Sequence, residues 1–222
     1  MKNSQLNNCY LYVLNTMADW EIAHITAELN SGRFLKNGKA TIRKVSKSLH
    51  PVTSMGGMSV SVDVKLSDVE FSEGDMLILP GADTWMEEEH HRVIEMVENL
   101  IDRGVVVAAI CGATVALANA GILNRRKHTS NGKGFLEMMC PEYKGSANYI
   151  DSPAVCDGNL ITASGLAPLE FTYEIMKRAG VMKEETVTAW YKLYSTRESR
   201  YMYELMESTK ENRMPSSTAL PT

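Results

Sequence analysis

The chain alternates between short, uninterrupted apolar runs and longer stretches in which apolar residues recur with helical spacing. Tyr10 to Leu14 is the first such run and predicts a buried strand. It breaks at Asn15-Thr16-Met17-Ala18-Asp19. A helical pattern begins near Trp20, with Asp19 as the expected N-cap and Gly32 marking the end. From Thr41 to Val69 the period falls to two. Thr41 to Val45 and Val60 to Val64 read as strands, with Gly56-Gly57 as the turn between them. Met76 to Leu79 predicts another strand, closed by Pro80-Gly81. A long helix is expected from about Thr84 to Arg103, with Gly104 at its C′ position. Val105 to Ile110 is apolar at every position, the pattern of a central parallel strand covered on both faces. A helix of small residues follows at once, Gly112 to Asn119. Val155 to Thr162 reads as a hairpin through a Gly-containing turn. Further helices are expected from Ala167-Pro168 and over Glu184 to Ser195, and Arg197 to Lys210 extends the helical pattern. Asn212 to Thr222, rich in Pro, Ser and Thr, is expected to fray.

Strand and helix alternate throughout, which predicts an α/β fold: a three-layer, doubly wound sandwich around a mostly parallel sheet. The chain shows no internal repeat and no interdomain linker. It is read as a single domain over residues 1–222, with a core from about 10 to 195 and a C-terminal extension over 196–222.

Composition adds little to this picture and removes some functions. With 222 residues, 44% hydrophobic and 23% charged, the chain is long enough for a sizeable core and ordinary for a globular protein. A net charge of −4 offers no electrostatic reason to expect nucleic acid or an anionic membrane as partner. The polar N-terminus lacks the apolar core of a signal peptide, and no run approaches the ~20 apolar residues of a membrane span. A cytoplasmic location with reduced thiols is therefore expected. The four cysteines, Cys9, Cys111, Cys140 and Cys156, are scattered without metal-ligand spacing.

One of the four stands apart. Ala109-Ile110-Cys111-Gly112-Ala113 joins the most apolar strand to the small-residue helix. A side chain on such an elbow needs small neighbours two positions away, because strand and helix backbones approach closely there. Ala109 and Ala113 meet that need. The elbow sets the sulfur at a helix N-terminus, where amide dipoles favour thiolate over thiol. It also aims the Gly112 N–H at charge developing on a substrate oxygen. A second donor is expected from the loop after Leu79, most simply the Gly81 N–H. The competing reading is a small thiol packed in the core. Cys9, Cys140 and Cys156 lack this context and are read as packing residues.

These residues resemble the ThiJ/PfpI superfamily, whose fold is class I glutamine amidotransferase-like (flavodoxin-like). The resemblance spans about Tyr10 to Tyr194. It rests on Met17 to Glu21, Ile78 to Gly81, Ala109 to Ala113 continuing to Leu123, and Ile161 to Gly165, in this order and spacing. It implies that Glu21 reaches Cys111. A protonated carboxyl there would donate to the thiolate or a later sulfinate, or serve as general acid or base. A helix-start acid complementing the dipole is the simpler alternative. The resemblance also implies a homodimer, a small-molecule substrate and no cofactor. The implied activity is that of a cysteine-dependent hydrolase or amidase, or of an enzyme of reactive carbonyls. A non-catalytic redox or stress sensor is the alternative, and a peptidase is a lesser one.

The sequence departs from hydrolase-like relatives in one respect. No histidine follows Cys111, and Thr129-Ser130-Asn131 puts Asn131 where a downstream histidine is expected. His128 lies in a stretch read as strand, so it faces away from Asn131 and is the weaker candidate base. Three further features are weighed. His24 shares a helix face with Glu21 and is read as a half-buried helix residue. Glu87-Glu88-Glu89-His90-His91 carries ligand-type residues but reads as an acidic helix start, so no metal is expected there. Ser164-Gly165 lies at a strand end and either borders the Cys111 pocket or is a simple turn. Trp190, Tyr191, Tyr194, Tyr201 and Tyr203 are read as core or subunit-contact residues.

Overall fold

The computed structural model describes residues 6–210. The expected frayed tail from Asn212 lies outside them. The chain forms β1 (Cys9–Tyr12), α1 (Asp19–Ser31), β2 (Ile42–Ser46), β3 (Val52–Thr53), β4 (Ser59–Val60), β5 (Val64–Lys65) and β6 (Met76–Leu79). It continues through α2 (His91–Asp102), β7 (Val106–Ile110), α3 (Gly112–Asn119), α4 (Phe135–Met139), β8 (Ala154–Asp157) and β9 (Leu160–Ala163). Helices α5 (Pro168–Ala179), α6 (Glu184–Thr196) and α7 (Arg200–Ser208) complete it.

Seven strands form one sheet in the order β5-β2-β1-β6-β7-β9-β8, and helices flank it. Every pairing in it is parallel except β8 on β9. The apolar runs explain the centre. All residues of β6 and β7 are buried, so neither strand has a polar face to offer water. Helices α1 and α5 pack on each other, and α2, α3 and α5 all touch β7. The order reverses between β1 and β6: the chain leaves β1 for β2 on one side and later returns to β6 on the other. In open parallel sheets this reversal opens a crevice beyond the C-terminal strand ends, the usual place for a ligand.

Three local expectations differ from the structure. Asp19 does not cap α1; Ala18 holds that place, and the Asp19 carboxylate instead accepts the Gly56 N–H at 2.6 Å. The strand expected over Val60 to Val64 is divided between β4, paired only with β3, and β5 on the sheet edge. The helix expected from Thr84 begins only at His91. Before it, Trp85 folds inward, its Nε1 donating to the Pro80 carbonyl at 2.7 Å, and Glu87 is extended. Burying an indole outweighs the propensity of three glutamates to continue a helix. Among the described residues no helix is long and apolar enough to cross a membrane.

Candidate functional site

The site is assembled at the C-terminal ends of β1, β6, β7 and β9. Cys111 stands between β7 and α3 with φ 55° and ψ −120°, a backbone that side-chain-bearing residues adopt only when their surroundings hold them. Those restraints are visible. The Cys111 N–H donates to the Ala163 carbonyl at 3.0 Å. Its own carbonyl accepts from the Thr114 N–H at 3.0 Å and the Thr114 hydroxyl at 2.6 Å. With that proton committed, the Ser130 hydroxyl donates to Thr114 Oγ1 at 2.6 Å.

Glu21, in the first turn of α1, is fully buried, with its carboxyl against the thiol. Its Oε2 accepts the Gly81 N–H at 2.6 Å, while Oε1 has no oxygen or nitrogen donor. On the other side, Asn131 Nδ2 donates to Cys111 Sγ at 3.4 Å and Asn131 Oδ1 accepts the Gly165 N–H at 2.8 Å. Asn131 thus clamps the loop after β9 onto the sulfur. Burial pushes the Glu21 carboxyl above its ordinary range, and the Gly81 N–H and the thiol pull it partly back. Burial also pushes the Cys111 thiol up, and the Glu21 charge adds to this; the Asn131 amide and the Gly112 N–H oppose it. The thiolate expected from the helix N-terminus alone is therefore incomplete. The coupling runs one way: ionised Glu21 raises the thiol's proton affinity, whereas the thiol's hydrogen bond lowers that of the carboxyl. A sulfur anion here requires Glu21 to keep its proton.

Two glycines make this closeness feasible. A Cβ at Gly81 would lie 2.6 Å from Glu21 Oε2 and 2.7 Å from Cys111 Cβ. One at Gly165 would lie 2.7 Å from Cys111 Sγ and 3.0 Å from Glu21 Oε1. Of the two sequence readings, Gly165 thus borders the thiol. We expect Gly165→Ala to displace the sulfur and slow iodoacetamide labelling of Cys111 or activity by about tenfold or more, because a 1 Å misplacement of reacting groups costs up to ~100-fold. The melting temperature should fall by roughly 2–10 °C, the effect of about 1–3 kcal/mol of overpacking. Unchanged labelling and activity would show that the loop yields freely.

Two expectations need correcting. The Gly81 N–H is not available to a substrate oxygen, because it is spent on Glu21. The neighbouring Ala82 N–H, which the sequence did not single out, has no acceptor among the described residues. Ala82 lies against Gly112: a Cβ there would be 3.2 Å from Ala82 N and 2.7 Å from its carbonyl oxygen. His128 is fully buried, with Nδ1 2.7 Å from the Arg126 carbonyl and Nε2 bonded to the Tyr143 hydroxyl. Both ring nitrogens are occupied away from Cys111, and only an isolated bridge to Tyr149 replaces the expected strand. The ring is a structural element of the loop.

The remaining candidates fall away from the thiol. His24 meets the rings of Trp190 and Tyr194 edge-on. Trp190 is fully buried and Tyr203 largely exposed. Cys9 and Cys140 are buried, whereas Cys156 is exposed and so is not a packing residue. A cleft of about 300 Å³ opens onto Cys111, lined by the buried Trp85 and by Trp20, Met55, Met86, Phe135 and Met139. Trp20, half exposed, donates from Nε1 to the Gly165 carbonyl at 3.2 Å.

Comparison with known proteins agrees with this arrangement. The chain is 44% identical over 206 residues to a Bacillus subtilis protein named as an uncharacterised protease, YoaZ, covering 92% of this chain and 98% of that one. It is 29% identical over 113 residues to deglycase PfpI of Pyrococcus furiosus, half of this chain and 66% of that one. A solved ThiJ/PfpI family protein from Bacillus anthracis superposes with a TM-score of 0.90 at 44% identity, covering 92% of this chain and 98% of the other. The DJ-1 superfamily protein Atu0886 of Agrobacterium tumefaciens follows the same fold with a TM-score of 0.75 at 32% identity, covering 86% and 98%. The model of the DJ-1/PfpI family matches residues 7–178. By descent and by fold alike, this chain belongs to the DJ-1/PfpI family.

Proposed function

We propose that the chain is a cysteine-dependent enzyme of hydrolase or deglycase type acting on small reactive carbonyl compounds, with Cys111 as nucleophile. One observation carries this reading: a thiol on a strained elbow with the buried Glu21 carboxyl beside it. In the singly ionised pair the sulfur attacks the carbonyl carbon and the C=O π pair moves onto oxygen. The N–H groups of Gly112 and Ala82 receive that oxygen, and Glu21 then delivers the proton. Asn131 holds the sulfur in line. Relatives named as proteases and as deglycases are compatible with either an amide or a carbonyl substrate. We favour the carbonyl because no imidazole among the described residues contacts Cys111: the one proton Glu21 delivers completes addition to an aldehyde, whereas amide cleavage needs a further proton for the departing amine. A homodimer belongs to this proposal through the family resemblance, and a reducing cytoplasm through the scattered free cysteines.

The test is turnover of methylglyoxal against a small peptide amide. Carbonyl consumption without amide cleavage is expected, and faster amide cleavage would overturn the substrate assignment. The role of the Glu21 carboxyl has its own test. Because burial raises Glu21 in the folded chain, its contribution to stability is fully present below the unfolded value of 4.5 and is lost as pH rises through the folded one. Glu21→Gln lacks this titration. Its melting temperature should therefore gain on the parent between pH 5 and pH 7.5, while activity drops. A pH-independent difference would remove the raised carboxyl from the account.

A sensing role is favoured by the same protonated carboxyl, which can donate to a sulfinate oxygen. It stands if no carbonyl is turned over, yet mild peroxide adds two oxygens to Cys111 ahead of the exposed Cys156.

A further inference from the structure

We propose that Glu87, Glu89 and His90, on the turn before α2, form a divalent-cation site of the zinc type outside the Cys111 cleft. As sequence this run reads as an acidic helix start. The tertiary structure gathers it differently, because the inward fold of Trp85 carries His90 into the core at 1% exposure. His90 Nδ1 lies 2.9 Å from the Tyr12 hydroxyl, while Nε2 is buried with no hydrogen-bond partner. A buried ring nitrogen without a partner calls for an explanation.

The geometry supplies one. His90 Nε2 stands 3.5 Å from Glu89 Oε1. That is longer than the ~2.7–3.2 Å of an N–H···O bond. It is close to the edge of a coordination tetrahedron, about 3.3 Å for bonds of about 2.0–2.1 Å to zinc. Glu87 completes a set of three ligand atoms within 4.8 Å of one another, and being exposed it is free to close in. The outer groups fit as well. Nδ1–H donating to the Tyr12 oxygen leaves the Nε2 lone pair for the ion, the arrangement common around metal-bound histidines. Lys47 holds the other Glu89 oxygen, Oε2, so Oε1 is turned to His90 and free to ligate. Two carboxylates and one imidazole, with water in the fourth position, make an oxygen- and nitrogen-rich set suited to Zn2+. The simple alternative is that Nε2–H makes a long, weak contact with Glu89.

Calorimetric titration of Zn2+ into the full chain carrying Cys111→Ser and Cys156→Ser, to remove competing thiols, should show one ion bound per chain. Glu87→Gln and Glu89→Gln change partly exposed side chains and should fold normally. Each should weaken binding about tenfold or more, since losing even a group that only supports a ligand typically costs about 10–100-fold. Side-chain 15N spectra of the same protein should show the His90 Nε2 resonance moving on Zn2+ addition, a readout that does not depend on a variant of the buried histidine. Equal affinity in both glutamine variants, or a His90 resonance indifferent to Zn2+, would overturn the proposal.

Discussion

Cys111→Ala is expected to lower kcat/KM for methylglyoxal by about 10⁴-fold or more, the scale seen when a nucleophile is removed from a group that acts as a unit. The melting temperature should barely move. Alanine keeps the strained backbone at φ 55° and loses only a half-buried sulfur. Cys111→Gly should be equally inactive but more stable, because relief of about 1–3 kcal/mol of strain exceeds the ~0.5–1 kcal/mol of added chain entropy. The pair of variants separates two roles that one substitution would confound. Activity surviving in either would remove the nucleophile from the mechanism. A large loss of stability in both would show the thiol to be a packing residue, the competing reading of the sequence.

The second large effect concerns folding rather than catalysis. Glu28, on α1, is only 1% exposed, and its carboxylate is held by the Arg33 guanidinium and by Trp190 Nε1 at 3.0 Å. Arg33→Met would leave that charge buried with the indole alone. We expect a loss of about 3 kcal/mol in urea unfolding, at the lower end of the ~3–5 kcal/mol for breaking a buried pair because Arg33 is itself half exposed. Adding Glu28→Gln should restore part of the loss, since the double variant buries no unpaired charge. A single-variant loss below about 1 kcal/mol would place the pair with ordinary surface ion pairs.

Much of the fold is legible because its signals are local. The runs at Tyr10 to Leu14, Met76 to Leu79 and Val105 to Ile110 have no polar face and lie in the middle of the sheet. The hairpin through Gly158 and the helix opening on Pro168 follow from residues that restrict their own backbone. Where a segment's state depends on what covers it, the pattern misleads. Thr84 to His90 looks helical, yet Trp85 finds a better place under the sheet end.

The candidate site divides along the same line. The sequence by itself determined that a cysteine would sit on an elbow between the most apolar strand and a helix of small residues, because spacing and side-chain size are encoded next to one another. Contacts between distant segments had to be decided by the tertiary structure. Gly81 meets Glu21 across 60 residues, and Trp20 meets Gly165 across 145. The same distances decided that Ala82, not Gly81, keeps a free amide, and that His128 turns away. They also raised the proton affinities of Glu21 and Cys111, since the energy of an ionisable group is set by the dielectric and charges around it, and these come from segments remote in the chain.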